Sequence, residues 1–493
     1  MNNFGMNIKS ALWSLLIVIS IMPVVLLEGC RKLVEVEPPI NQIDAKEIYT
    51  SDVTANSVLI GIYTKMISFS GKVSIAGSTG LSSDELVSVN NDPNSTMNLL
   101  YMNSLTNGGQ FGWWKYLYEF IFKANSAIEG LSDSKSLSVS VKKQLMAEAK
   151  FIRAYMYFNL VNLYGDVPLL MSTNLQENGV ASRTPKNIVY GQIVKDLKEA
   201  QNELNSQYVG GNGTSVIQDR LRPNQAVATA LLAKVYLYIG SWELAASEAT
   251  KVISNINTYQ LEELNSTFLK DSRETIWSLQ STEMGINTYD ARDYVLARGE
   301  WHDVGGPNGN DRSVLLSKQI FNAFEPSDKR KELWVDSVLV DHVTYPYAYK
   351  YKVWENNKPR TENYVVFRLA EQYLIRAEAR AQLGKITGSN SAAEDLNKIR
   401  ARAGLGEAPA SSSESMLAAV LKERKVELFT EGHRWFDLQR MGKINEVMAS
   451  VVLIKGTGVS WMPYKMLFPI PFDDLQRNPS LKGHQNPGYP ESL

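Results

Sequence analysis

The chain has almost no cysteine: Cys30 stands alone among 493 residues. An intramolecular disulfide is therefore impossible, and so is a metal site built from several thiolates. Histidine is nearly as scarce. The four present, His302, His342, His433 and His484, lie far apart and lack the H-x-x-x-H spacing of a zinc-dependent hydrolase. No charge of one sign dominates, since 51 Lys and Arg against 52 Asp and Glu leave a formal net charge of −1. With no basic tail either, the composition argues against nucleic acid as a partner. Catalytic signatures are missing as well. There is no G-x-S-x-G elbow, no phosphate-binding P-loop, no G-x-G-x-x-G after a strand and no D-x-D-x-D-G calcium loop. Any chain with 52 acidic residues could pair two carboxylates for glycoside hydrolysis, but no motif marks such a pair. No enzyme, cofactor or metal centre is expected.

What is present begins at the N-terminus. Lys9 precedes an apolar run over 11–27, interrupted by Ser14, Ser20 and Pro23, and Leu27-Glu28-Gly29-Cys30 follows. This is the layout of a secretory signal over 1–29. The run is about long enough to cross a bilayer, so length alone leaves a transmembrane helix open. The cysteine directly after Gly29 resembles a bacterial lipobox, with Glu28 departing from the usual small residue. Cys30 is therefore expected to carry acyl chains and anchor the protein, each buried CH₂ contributing roughly 0.8 kcal/mol. Residues 30–42, with Pro38-Pro39, read as a tether, and no later stretch is apolar enough to span a membrane.

Beyond the tether the periodicity is helical. Helices are predicted over 44–68, 111–130, 141–164, 187–205, 223–239, 242–255, 367–383, 391–402 and about 414–431. Residues 70–110 read as a long irregular stretch, and 256–350 as short strands and loops with a strand at 274–280. Residues 208–216 (YVGGNGTSV) read as a flexible loop. They divide an N-terminal region, 43–215, from a C-terminal region, 216–493, packed together as one unit. Two segments repeat a design: 226–250 and 371–400 each have a helix rich in small residues, a glycine (Gly240, Gly384) and a second helix with paired alanines (Ala245-Ala246, Ala392-Ala393). That is the tetratricopeptide pattern, in which alanine lets antiparallel helices approach closely. The fold class expected is mostly α: tetratricopeptide-like hairpins with long loop insertions and a few short strands. Glu423, Glu427 and Glu431 share a helix face and are read as an ion-pair network with Arg424 and Arg434. His433 is read as a hydrogen-bonded core residue.

Several segments carry a family resemblance: AEAKFIRAYMYFNLVNLYGDVPLL (147–170), RLAEQYLIRAEARAQLG (368–384), DLNKIRARAGL (395–405), ERKVELFTEGHRWFDLQRMG (423–442), LFPIPFDDLQRNP (467–479) and QNPGY (485–489). They resemble, in order, the SusD/RagB outer-membrane proteins of Bacteroidetes. The resemblance implies a lipid anchor at Cys30, an outer-membrane location facing the exterior, and a TonB-dependent SusC-like barrel as partner. It also implies capture of a glycan, or in some relatives a peptide, without catalysis. Many surface-displayed relatives have acidic residues directly after the cysteine, where this chain has Arg31-Lys32.

Ligand choice belongs to the loops. A sugar has an apolar C–H face and a rim of hydroxyls, which suits an exposed aromatic plane flanked by polar groups. Two stretches offer this. In 83–101 the candidates are Asp84, Asn91, Asn98 and Tyr101; in 287–312 they are Tyr289, Arg292 and Trp301, with Trp301 the first choice for stacking. Two other readings stay open at this point: a glycosidase hidden among the carboxylates, and an adaptor that uses its helical grooves for protein partners.

Overall fold

Helices form where apolar side chains recur every three or four residues, and several here stop at glycine. The computed structural model describes residues 45–90, 92–108, 112–296, 306–308, 312–456 and 460–492. Thr50–Leu493 makes one compact unit. In the other unit, Met1–Tyr49, the described residues hold a short helix, Ala45–Ile48. The signal segment, Cys30 and the tether lie outside the described residues. No helix among the described residues is long and apolar enough to cross a membrane.

The first helix of the larger unit, α1 (Asp52–Ile67), is capped by Ser51, whose Oγ accepts from the Thr54 amide at 3.3 Å. Three elements then replace the irregular stretch expected over 70–110: α2 (Ile75–Ser82), β1 (Leu86–Ser88) and α3 (Thr96–Tyr101). α2 escapes a periodicity test for a physical reason. Ala76 through Ser82 are all buried, so its sequence, IAGSTGLS, shows no apolar stripe against a polar one.

Three long helices follow and pack in succession: α4 (Trp113–Asp133), α5 (Val139–Tyr164) and α6 (Lys186–Glu203). α5 buries Leu145, Ala149, Ile152, Met156, Leu160 and Leu163, and ends at Gly165, whose φ of +76° suits glycine. Residues 208–216 are pinned rather than free. Val209 and Val216 form a bridge, Asn56 Nδ2 donates to the Asn212 carbonyl at 3.1 Å, and Arg222 donates to the Gly210 carbonyl at 2.8 Å.

The repeated hairpins come next. α7 (Gln225–Tyr238) buries Ala228, Ala230 and Ala233, and α8 (Trp242–Ile253), which packs on it, buries Ala245 and Ala249. After β2 (Thr275–Leu279), α9 (Tyr289–Tyr294), β3 (Val314–Leu316), β4 (Val335–Val340), β5 (Val343–Ala348) and β6 (Tyr364–Arg368), the design returns. α10 (Leu369–Gln382) and α11 (Ala392–Arg402) form the second hairpin, followed by α12 (Ser413–Glu427), α13 (Arg434–Arg440) and α14 (Ile444–Lys455). α8 packs on α10, so the hairpins stack, each covering an apolar face its neighbour cannot hide alone. Leu374, Ala377, Ala381, Leu396, Ile399 and Met416 are core residues of this stack.

Among the described residues the strands form three antiparallel pairs, β1–β3, β2–β6 and β4–β5. Leu86 faces Leu316 and Ser88 faces Val314 in the first. Beneath the hairpins lies a buried ion-pair network. Glu423 meets Arg330 at 2.6 Å and Arg400 at 3.2 Å; Glu427 meets Arg330 at 2.9 Å, Arg368 at 2.5 Å and also Arg402; Glu431 meets Lys350 at 2.6 Å and Arg368 at 2.7 Å. The network is real but its partners differ from those expected. Arg424 pairs instead with Asp437 at 2.7 Å, and Arg434 with Asp84 at 2.8 Å. The opposing charges come from elements distant in sequence, which helix-face spacing cannot show. His433 is buried, with Nδ1 3.3 Å from Lys234 Nζ and 3.5 Å from Glu371. Burial and then the charge of Lys234 push its pKa well below the usual range, so it is neutral.

Candidate functional site

The β1–β3 pair brings together the two loop regions that the sequence sets some 200 residues apart. The Val89 amide donates to the Ser313 carbonyl at 2.8 Å, the Ser317 amide to the Glu85 carbonyl at 2.8 Å, and Ser313 Oγ lies 3.4 Å from Met97 Sδ. Residues 83–101 and the chain after α9 therefore converge on one part of the surface.

Their candidate residues divide into three groups. Asp84 points inward. It is 4% exposed, and its carboxylate meets Arg434 at 2.8 and 3.0 Å and Lys425 at 2.9 Å. Burial opposes its charge, yet Arg434 and Lys425 hold the carboxyl well below the usual range. Asp84 thus fixes the base of the loop to α12 and α13 and presents nothing to a ligand. The adjacent Glu85 is the converse. Both its oxygens are buried without a hydrogen-bond partner among the described residues, and burial followed by the charge of Asp84 pushes it up to about 8.

Asn98 and Tyr101 shape the loop. Asn98 Nδ2 donates to the carbonyls of Asn90 at 3.0 Å and Asp92 at 2.6 Å, so its amide closes the turn before α3. Tyr101 is half-buried, with Lys455 Nζ 5.0 Å from its ring centre. Across the β1–β3 pair, Tyr289 and Arg292 form a unit. Arg292 is exposed, its guanidinium lies 4.5 Å over the half-buried Tyr289 ring, and Glu283 at 3.5 Å and Asp293 at 3.2 Å hold it there. Asp290 and Asp293 anchor α9 beneath by accepting from the amides of Gly71 at 3.1 Å and Lys72 at 2.9 Å. Trp301, Asn91 and Cys30 lie outside the described residues.

The structure adds aromatic residues that the sequence reading missed. Tyr345, Tyr349 and Trp354 are half-exposed and pack on a cluster made by Val295, Leu296, Leu315 and Tyr347, with Val87 and Val89 of the first loop at the same cluster. The Arg312 guanidinium lies 5.3 Å over Trp354, and Lys352 Nζ lies 5.4 Å over Tyr349 while donating to Asn265 at 2.6 Å. Tyr347 is held by its hydroxyl, which donates to Asp336 at 2.8 Å. A signal for these was available. Tyr345, Tyr347 and Tyr349 alternate at the strand period, and all three meet at this cluster. Ring faces, fixed cations and amide carbonyls on a convergent surface can stack on and hydrogen-bond a polyhydroxylated ring. They include no nucleophile–base pair.

A second cleft, about 980 Å³, lies between the hairpins and α12–α14, beside Tyr238, Trp242 and Leu417. Its Arg440, Lys422, Lys443 and Lys425 are engaged by Glu378, Glu325, Glu446 and Asp84.

Comparison with known proteins fits this architecture. Residues 341–489 match the family model described as "SusD family", and residues 34–237 match one described as "Starch-binding associating with outer membrane". The chain belongs to the SusD/RagB family. It is similar to SusD-like protein P25 of Formosa agariphila, 29% identical over 418 residues that cover 75% of this chain and 77% of that one. A shorter match, 31% identical over 156 residues, joins 31% of this chain to 24% of the starch-binding protein SusD of Bacteroides thetaiotaomicron. Among solved structures, a laminarin-binding SusD-like protein superposes with a TM-score of 0.72 at 25% identity, over 90% of this chain and all of that one.

Proposed function

We propose that this protein is a surface lipoprotein that captures a glycan and delivers it to a TonB-dependent SusC-like outer-membrane barrel, without catalysing a reaction. The observation that carries the reading is the convergence of two loop regions on one surface where Tyr289, Tyr345, Tyr349 and Trp354 stand half-exposed beside Arg292 and Arg312. The family supports it, as do relatives whose names specify starch and laminarin. Cys30 supplies the anchor. Trp301 and Asn91, outside the described residues, remain candidates on the sequence alone. Asp84 is left out, because its carboxylate is enclosed by Arg434 and Lys425.

Calorimetry of the detergent-solubilised full chain against laminarin, starch and a peptide panel tests this. Glycan binding is expected, weakened about tenfold or more by Trp354→Ala, since one stacked aromatic contributes on the order of 1–2 kcal/mol. Binding of peptides alone would keep the family and change the ligand. Shortened oligosaccharides in the recovered sample would mean a glycosidase.

A further inference from the structure

Lys455, the last residue of α14, is buried, and its ammonium donates to three neutral acceptors: the Leu81 carbonyl at 2.8 Å, the Ser82 carbonyl at 3.0 Å and Asn103 Oδ1 at 3.2 Å. The two carbonyls are at the C-terminal end of α2, where helical carbonyls lack partners and the helix dipole is negative. Asn103 stands just past α3 at a φ of +51°, and its Nδ2 also donates to the Ser82 carbonyl, at 2.9 Å. The face of Tyr101 lies against the same ammonium. One cation thus ties the end of α2 to the end of α3.

The loop between β1 and α3 borders the proposed binding surface: it begins at Val89, which with Val87 of β1 packs on the cluster that carries Tyr345, Tyr349 and Trp354. At one end it is held by the β1–β3 pair, and at the other by this clamp. We propose that Lys455 is a positioning residue for the ligand site: its three hydrogen bonds hold residues 89–103 in the conformation that receives the ligand. The proposal rests on the glycan-binding reading above and extends it to a residue that touches no ligand.

The surroundings of Lys455 make its charge labile. α2 offers only carbonyls, and the α3 end offers Asn103 and the phenol of Tyr101, which burial keeps neutral. The link between α2 and β1 offers the charge of Asp84, already bound by Arg434 and Lys425; Glu85 lies next to it. Burial outweighs Asp84 and lowers the ammonium to about 7. Opening of the loop would expose the ammonium and return it toward its ordinary value, so the open state binds more protons and the closed clamp is favoured as pH rises above 7.

The test measures glycan affinity and amide hydrogen exchange of residues 89–103, on the full chain, at pH 6 and pH 8. Lys455→Met keeps the length and removes the charge; Lys455→Arg keeps the charge. In the wild type, affinity and the protection of 89–103, corrected for intrinsic exchange, are expected to rise from pH 6 to pH 8. Lys455→Met is expected to bind laminarin about tenfold more weakly, to exchange faster in 89–103 at both pH values, and to lose the pH step. Because Glu85 titrates close to this range, loss of the step in Lys455→Met assigns it to Lys455. Lys455→Arg should recover part of the affinity. If Lys455→Met lowers thermal stability but binds laminarin with wild-type affinity, the residue is only structural and the proposal is overturned. If the wild type binds no glycan at all, the functional reading fails instead. The clamp is then judged by exchange alone: unchanged protection of 89–103 in Lys455→Met overturns it, and faster exchange upholds it.

Discussion

At the scale of single residues, the decisive property is which charges are buried and with what. Asp84 is enclosed by two cations, so its removal strands Arg434 in the interior. Asp84→Ala should cost about 3–5 kcal/mol of stability, read by urea unfolding; wild-type stability would show that the pair contributes nothing. Glu85 makes a prediction of the opposite kind. Folded, it holds its proton up to about pH 8; unfolded, it releases it near the ordinary carboxylate value of 4.5. Between those values the folded state binds more protons, so stability falls as pH rises through the window. Asp290, pushed up to about 8 by burial and by Asp293, acts in the same direction. Lys455 has the contrary sign above pH 7, because there the unfolded chain is the better proton binder. Urea midpoints at pH 5 and pH 7 should therefore drop for the wild type and drop less for Glu85→Gln. An equal drop in both would place the titration elsewhere. None of this was legible in the sequence: Asp84 was read as a surface ligand group because its neighbours are polar, and nothing local announces that Arg434, 350 positions later, encloses it.

At the scale of elements, legibility follows amphipathicity. α5 and the two hairpins repeat apolar residues at helical spacing and end at glycines with positive φ, so their positions were readable to within a few residues. α2 was not, because a helix buried on every side has no stripe to read. The β1–β3 pair was not readable either, since pairing across more than 200 residues leaves no trace in either segment alone. The hairpin principle is open to test at Ala245, fully buried in α8 where it packs on α7 and α10. Ala245→Leu should overpack that interface and cost about 1–3 kcal/mol, measured by thermal or urea unfolding. No loss would show that close approach of the helices does not depend on the small side chain.

At the scale of the whole molecule, a stacked helical frame holds a loop-built surface that the frame's own motifs do not specify. The GHRWFDL segment shows the division of labour. Arg434 and Asp437 sit in it and anchor Asp84 and Arg424, while the turn at Gly432 lies against Ala76 of α2. The family's long motifs therefore build the support, and the half-exposed aromatic residues of the candidate site stand on segments outside them. This is why the class of protein could be read from the sequence while Tyr345, Tyr349 and Trp354 could not: the alternation of the tyrosines marks a strand face but not what that face meets, and Trp354 lies outside that alternation. The most direct measurement of the central claim is a crystal structure of the chain soaked with a laminarin oligosaccharide. The account predicts a sugar ring stacked on one of Tyr289, Tyr349 or Trp354, with hydroxyls reaching Arg292. A sugar bound instead in the cleft beside Tyr238 and Trp242, or no sugar on the aromatic face at saturating concentration, would contradict it.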